Sequence, residues 1–365
     1  MSKGTDIQTF EVRKDAWGTA RLVTDTFAGD LREGEVLLQA NRFALTANNI
    51  SYCSAGDALG YWGFFPAAEG WGRIPVMGYG DVVASAHSGI QVGERVWGFF
   101  PMSTHLLIQG GKANEYTFAD VSAHRADYSP IYANFTRAAS NPFYEQARED
   151  HDLLLRGLFL TSWLVEDFMF DNGTFGAEAY VITSASSKTS IALAFAVKER
   201  GEKKTIGLTS AGNVAFVENL GCYDQVLTYD AIADLPAAMP VVMVDMAGSA
   251  QVISDLHHHF GDNMKYSCRI GATHYDAMGA VEDLPGAKPE FFFAPSHAQQ
   301  RNKEWGAGEV EKRIGTALKR FQVFSDNWLQ VQRGSGAAEV ERVFQQVLSG
   351  KAKPNEGHIL SISAD

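Results

Sequence analysis

Hydrophobic and polar positions change their period along this chain, and the change divides it. In the first third the apolar residues alternate with polar ones in short runs. Residues 11–13 and 20–23 suit a pair of short strands, and residues 35–43 (EVLLQANRF) are the clearest early strand. Residues 75–83 (PVMGYGDVV) and 91–99 (QVGERVWGF) add two more, with glycines at the corners, as in a small β-barrel or sandwich. Between 43 and 75 lie 45–57, too polar for a strand and read as a loop or short helix, and an aromatic loop at 61–71. From residue 179 short apolar runs begin to alternate with segments of helical period. Helices are expected at 189–200, 215–220, 251–260, 309–322 and 337–349. Strands are expected at 179–183, 205–208, 225–228, 241–245, 264–270 and 290–294. That order is what a doubly wound parallel α/β sheet requires.

The unit at 178–210 organises the second part: strand AYVIT, turn SASSK, helix, strand. Lys198 and Arg200 complement the helix dipole in its last turn, and Gly201 can cap it. A βαβ unit of this kind binds phosphate at its first turn, usually through G-x-G-x-x-G. Residues 184–188 contain no glycine. The hydroxyls of Ser186, Ser187 and Thr189 can donate to phosphate oxygens instead, with Lys188 supplying charge. The same string is equally a plain Ser-rich helix cap without ligand. It is not a P-loop, which would need glycines where Ile182 and Ser187 stand. After the second strand, where an NAD site carries an acid for the ribose 2′-hydroxyl, the chain has Thr209 and Ser210, followed by Asn213. With no carboxylate there to repel a 2′-phosphate, NADP(H) is favoured as cofactor. Parallel sheets bind ligands at the carboxyl ends of their strands. That rule adds Tyr229, Ala247, Gly271 and Ala272 to the cofactor-binding candidates.

Composition narrows the partners. A net charge of −12 without a basic stripe argues against nucleic acid or an anionic membrane, and no apolar run is long enough to span one. The N-terminus has no hydrophobic signal region, and three scattered cysteines suit a reducing compartment, so a cytoplasmic protein is expected. The cysteines Cys53, Cys222 and Cys268 cannot form a four-cysteine zinc site. His257-His258-His259 on a helix point about 100° apart, so a solvated face is expected there and not a metal site.

The phrases EVLL, ALTANNISY, GYGDVVAS and GIQVGERVWGF, followed by SASSKTS and NLGCYDQVLTYD, together resemble the medium-chain dehydrogenase/reductase superfamily in its zinc-free, quinone-reductase-like branch. Within it they resemble a subgroup with SASSKT in place of the glycine-rich turn. The resemblance implies a chaperonin-10-like catalytic domain at 1–150 and 325–365 and a Rossmann domain at 151–324, with a helix at 153–171 entering the cofactor domain and a last strand at 357–363 returning to the catalytic one. Zinc-dependent members carry Gly-His-Glu where this chain has Gly78-Tyr79-Gly80, so no metal is expected. Residues 111–150 read as an aromatic insertion, either a lid or dimer contact or a packed surface loop. In the zinc-free branch a tyrosine after the early strand is the usual proton donor. Tyr52 stands there with Asn48 and Asn49, and Tyr52 and Asn49 are the catalytic candidates. The alternative is a Tyr52 that only packs, beside asparagines that cap a helix. His297 and Arg301, in the loop after the strand at 290–294, are candidates for the nicotinamide end by topology alone, or simply polar loop residues, and Asp245 has no partner assignable from sequence. The implied activity is hydride transfer from NADPH to a carbonyl, enone or quinone. The alternative is a non-catalytic NADP(H)-binding protein. The small-molecule substrate is expected to be hydrophobic or planar, and a homodimer is expected because open sheets leave edge strands to cover.

Overall fold

The computed structural model describes residues 4–58, 60–126, 128, 132–246, 248–270, 284–306 and 308–364. They cluster into two compact units, Met1–Leu154 with Leu329–Asp365, and Leu155–Trp328.

The first unit is built from β1 (Thr5–Arg13), β2 (Ala16–Phe27), β3 (Glu35–Leu45), α1 (Ala47–Ser54), β4 (Trp71–Gly72), β5 (Pro75–Ser85), β6 (Arg95–Pro101), β7 (His105–Gly111), β8 (Thr117–Asp120) and β9 (Asn134–Arg137). The long helix α2 (Glu149–Asp171) follows. β1, β2 and β4 form an antiparallel sheet, with Glu11 opposite Arg21. The pairings β3–β5, β5–β6, β6–β9, β9–β8, β8–β7 and β7–β3 return to their starting strand, so these six strands close on themselves and leave no edge. Alternate side chains fill the interior: Val36, Leu38, Val76, Val96, Phe100, Phe118 and Phe135 are fully buried. Gly80 is required for this closure, because a Cβ there would lie 2.5 Å from the Gln39 carbonyl and 3.0 Å from the Phe100 ring. Part of the stretch read as an insertion at 111–150 is barrel wall. It supplies β8 and β9, and Phe118 stacks on Phe135 at 5.4 Å in the barrel core, while Tyr132 packs in a separate aromatic cluster with Tyr52. Helical period and a wide apolar stripe put Val340, Val343, Phe344 and Val347 of the late helix into the same core.

The second unit carries β10 (Ala179–Ile182), α3 (Lys188–Arg200), β11 (Lys204–Thr209), α4 (Val214–Leu220), β12 (Gln225–Thr228), β13 (Val241–Asp245), α5 (Ala250–Phe260), β14 (Met264–Arg269), β15 (Pro289–Phe291), α6 (Ala294–Trp305) and α7 (Glu309–Ser325). The sheet is parallel in the order β12-β11-β10-β13-β14-β15. Its central strands are apolar on both faces and fully buried, as a sheet covered by helices demands. The order reverses between β10 and β13, which makes that gap the topological switch point where this class of sheet takes dinucleotides. The chain then returns to the first unit with β16 (Gln330–Ser335), α8 (Ala337–Leu348) and β17 (Glu356–Ser361), and β17 pairs with β3, His358 facing Leu45.

Two local expectations change. α6 starts where a loop was expected: Pro295 sits in its first turn, where a missing N–H costs nothing. His257 is buried, its Nδ1 donating to the Pro285 carbonyl at 2.9 Å and its Nε2 accepting from Ser267 Oγ at 2.9 Å, so that face of α5 packs. Among the described residues no group of three or more His, Cys, Asp or Glu could hold a metal ion, and no helix is long and apolar enough to cross a membrane.

Candidate functional site

The turn after β10 is tighter than its sequence suggests. Ser184 adopts φ 49°, the left-handed conformation that glycine takes without strain. Two neighbouring elements hold it there. Its N–H donates to Tyr229 Oη at 3.1 Å, and the N–H of Ala185 donates to the Leu208 carbonyl at 2.9 Å. Tyr223 Oη donates to the Ala185 carbonyl at 3.0 Å. The room for this packing comes from Gly207 on β11, where a Cβ would lie 2.8 Å from the Tyr223 ring and 2.9 Å from Ala185 Cβ. A glycine-rich turn normally supplies that close approach itself. Here the glycine has moved to the adjacent strand.

Ser187 is the N-cap of α3. Its Oγ accepts the Ser190 N–H at 3.1 Å and donates to Ser190 Oγ at 2.9 Å, and Ser190 Oγ in turn donates to the Thr183 carbonyl at 2.8 Å. Ser187 is therefore occupied by the helix it starts. Lys188 and Thr189 form the first residues of α3, where the helix dipole favours an anion. Both are half-buried, and the Thr189 carbonyl accepts from Ser162 Oγ at 2.7 Å.

Ser186, Ser210 and Asn213 come together, which their separation in sequence could not guarantee. Asn213 Nδ2 donates to Ser186 Oγ at 3.2 Å and to Ser210 Oγ at 3.1 Å, joining the first turn to the end of β11. Thr209 does not reach this cluster as an exposed donor, since it is 1 % exposed at the end of β11. Ala247, Gly271 and Ala272 lie outside the described residues. On the other side of the switch point sits Asp245, fully buried. It accepts from Thr183 Oγ1 at 2.7 Å and from the Gly248 N–H at 2.9 Å, while Thr183 Oγ1 accepts the Met246 N–H at 3.0 Å. Thr183 and Asp245 thus lock the carboxyl ends of β10 and β13, a link with no sequence signal beyond their places at strand ends.

In the first unit Asn49 has structural bonds on both ends of its amide. Its Oδ1 accepts the Thr46 N–H at 2.8 Å, capping α1, and its Nδ2 donates to the Pro75 carbonyl at 2.9 Å, fastening α1 to β5. Both ends of the amide are thus engaged, as the helix-capping alternative expects. Tyr52 is buried among aromatic rings, 4.6 Å from the Tyr61 centroid and 6.1 Å from that of Phe99. Burial, and next the neighbouring Tyr132, raise its pKa above the usual phenol value against a weaker lowering by Asn48. Such a phenol keeps its proton across the physiological range and can act as a donor but not as a base. Tyr79, at the position of the zinc-type histidine, donates to Asp152 Oδ2 at 2.8 Å.

His297 and Arg301 are not loop groups. Both lie on α6 and reach back to α2: His297 Nε2 donates to Asp167 Oδ2 at 2.8 Å and Arg301 Nε to the same oxygen at 2.6 Å. Burial alone would raise the Asp167 pKa, but these two donors hold it below the usual carboxylate range.

Among solved structures the fold has full-length counterparts at low sequence identity. CurA from Vibrio vulnificus, in complex with NADPH, matches with a TM-score of 0.62 at 12% identity, covering 98% of this chain and 100% of that one. A candidate NADPH:quinone reductase from Mesorhizobium loti matches with a TM-score of 0.62 at 16% identity, covering 99% and 100%. A mutant form of enoyl thioester reductase from Candida tropicalis matches with a TM-score of 0.55 at 11% identity, covering 98% and 100%. These likenesses establish the fold, a parallel sheet in dinucleotide-binding order together with a β-rich unit. No curated protein matches by sequence. A family profile does, across residues 43–353, and the chain belongs to that family, described as "Protein of unknown function (DUF2855)".

Proposed function

We propose that this chain is an NADPH-dependent, zinc-independent oxidoreductase that passes hydride to a carbonyl, enone or quinone. The observation that carries the reading is the bridge from Asn213 to Ser186 and Ser210 at the switch point of a sheet in dinucleotide-binding order. Hydroxyls and an amide stand where an NAD site places a carboxylate, so a 2′-phosphate meets donors and no repelling charge. Ser186, Ser210, Asn213, Lys188 and Thr189 would hold the phosphates; Ser187, Thr209 and Tyr229 shape the turn around them. The NADPH held by CurA and the quinone-reductase and enoyl-reductase names of the other counterparts support the same coenzyme and substrate classes. Bound NADPH would supply the hydride. Tyr52 would donate the compensating proton to the oxygen that gains charge and recover it from solvent, while Asn49 holds α1 in place.

A second reading, a non-catalytic NADP(H)-binding protein, draws support from the turn itself: the Ser184 and Ala185 N–H groups already have protein acceptors and are not available to a diphosphate. Calorimetric titration with NADPH and NADH, followed by nicotinamide absorbance against a panel of quinones, enones and carbonyls, separates the two. Tighter NADPH binding with turnover supports the enzyme. Binding without turnover supports the second reading, and equal or tighter NADH binding overturns the coenzyme preference.

The proposed assembly is a homodimer. β15 is the edge of the parallel sheet, and Phe291 at its end and Phe293 just beyond are 42% and 46% exposed. Sedimentation at micromolar concentration should give twice the chain mass, and a clean monomer overturns it. A cytoplasmic location fits three buried thiols, of which burial pushes Cys53 and Cys222 up to about 12.

A further inference from the structure

The second unit has a cavity of about 480 Å³ between α2, α6, α7 and the end of α3. It is separate from the coenzyme turn: Lys188 opens α3 and Arg200 closes it, roughly 18 Å away at 1.5 Å per residue. We propose that this cavity binds a small planar aromatic anion, a carboxylate or a phosphate.

Its walls combine flat rings with guanidinium groups. Trp163 and Trp305 meet edge to face at 6.3 Å. Arg313 lies over the Trp305 ring at 4.1 Å and Arg301 at 4.7 Å, while Arg200 covers Phe170 at 3.7 Å. Five cationic side chains line the space with two acids, Asp167 and Asp171; Arg200 is already paired through Nε and Nη2 with Glu166, and Arg301 is likewise engaged, which leaves Lys312, Arg313 and Arg320 as the cations a ligand would meet. Carboxylates behind the wall hold the cations in place. Glu309 accepts from Arg313 Nε at 2.9 Å and Glu199 from Arg320 Nε at 2.5 Å. Both bonds use the stem side of the guanidinium fork. Arg301 is the anchor and not a donor to ligand, because Asp167, Asp171 and Glu304 take its Nε, Nη2 and Nη1. A stacked guanidinium with its stem side fixed presents its outer nitrogens in one plane, the geometry that receives carboxylate or phosphate in a bidentate pair. The aromatic walls take a planar body by stacking, and the volume falls in the range of small-ligand sites. Fully paired surface arginines without rings or a cavity would not predict this ligand class.

Two probes distinguish the anion types: 2-naphthoate and adenosine 5′-monophosphate, each titrated calorimetrically into the full chain. Saturable binding of either is expected, and which one binds assigns carboxylate or phosphate. Arg313→Ala, at a side chain 48% exposed and so safe for folding, should weaken that binding about 10-fold or more. Arg320→Ala should act in the same direction. Lys188→Ala, at the coenzyme turn, should leave it unchanged. Absence of heat with both probes at millimolar concentration overturns the proposal. So does binding that survives Arg313→Ala and is lost in Lys188→Ala, since the probe would then occupy the coenzyme turn. The coenzyme reading can fail without touching this one, because NADPH titration and the Arg313 variant report on different ends of α3.

Discussion

The hydroxyl of Tyr229 accepts the backbone N–H of Ser184 at 3.1 Å, and Ser184 is held there at φ 49°. An L-residue in that conformation costs about 1–2 kcal/mol, which glycine would not pay. Ser184→Gly should therefore be neutral to stabilising by about 1 kcal/mol, after the extra backbone entropy of glycine in the unfolded chain is deducted. Ser184→Val, branched at Cβ, should be clearly destabilising. Tyr229→Phe leaves the N–H without its acceptor and should cost about 1 kcal/mol. Thermal melts of the three variants without coenzyme check this, and a Val variant as stable as the parent would refute the strain.

Lys188 separates a phosphate site from a decorated helix cap. A hydrogen bond to a charged group is worth about 1.5–3 kcal/mol, so Lys188→Ala should weaken NADPH binding roughly 10- to 150-fold. Its melting temperature without coenzyme should barely move, because removing a cation from a helix N-terminus is neutral or slightly favourable. Unchanged affinity removes Lys188 from the site.

How far the sequence could be read depended on whether the signal was local. The stop of α3 was legible, since Lys198, Arg200 and Gly201 are one helix end, and Gly201 indeed takes φ 76°. The alternation of short strands and helices from 179 onward was legible for the same reason. What the serines of the turn do was not. Gly207, which gives the turn its room, lies on another strand, and its effect passes through Tyr223. β8 and β9 were hidden likewise: their pairings, such as Val96 with Arg137, join residues far apart, so a core wall read as an insertion. Asn49 looked chemical because an amide beside a tyrosine suits catalysis. The alternative, an asparagine that caps a helix, was equally legible, and the Thr46-to-Asn49 spacing is the local signal for the bond it makes.

The first turn of α2 sits in a charge network that sets acid stability. Arg95 pairs with Glu149 through Nε and through Nη2 at 2.6 Å, and Arg42 reaches Asp150 at 3.1 Å. Burial alone would raise the Glu149 pKa, but Arg95 and Tyr144 hold it below the usual carboxylate range. A carboxyl whose folded pKa is depressed gives stability that is complete above its unfolded value and is lost as pH falls through the folded one. The contribution should thus be intact at pH 7 and begin to be lost below about pH 4, near the unfolded value. Arg95→Met should destabilise by about 3 kcal/mol at pH 7, the low end for a broken buried pair because Arg42 remains 3.8 Å from Glu149. The difference from the parent should shrink in acid. Urea melts at pH 7 and near pH 3.5 measure it, and a gap that stays constant rules the pair out as the cause.

Tyr52 offers the most direct test of the chemistry. A positioned proton donor contributes about 100- to 10,000-fold to rate. Tyr52→Phe keeps the ring among Tyr61 and Phe99 and removes only the hydroxyl, so folding should be nearly unaffected. If Tyr52 donates the proton, kcat should fall at least 100-fold for a carbonyl or enone while the NADPH dissociation constant stays the same. The pH profile provides a check that a packing role would not move. Burial raises the Tyr52 pKa above the ordinary phenol value near 10, so its loss of a proton should produce no decline in the parent's kcat below pH 10. A quinone acceptor adds a contrast, since its reduced oxygen is a far weaker base than an alkoxide and needs less help from a donor. The variant should therefore lose more activity with a carbonyl than with a quinone. Equal and small losses with both would leave Tyr52 as one more ring in the aromatic cluster.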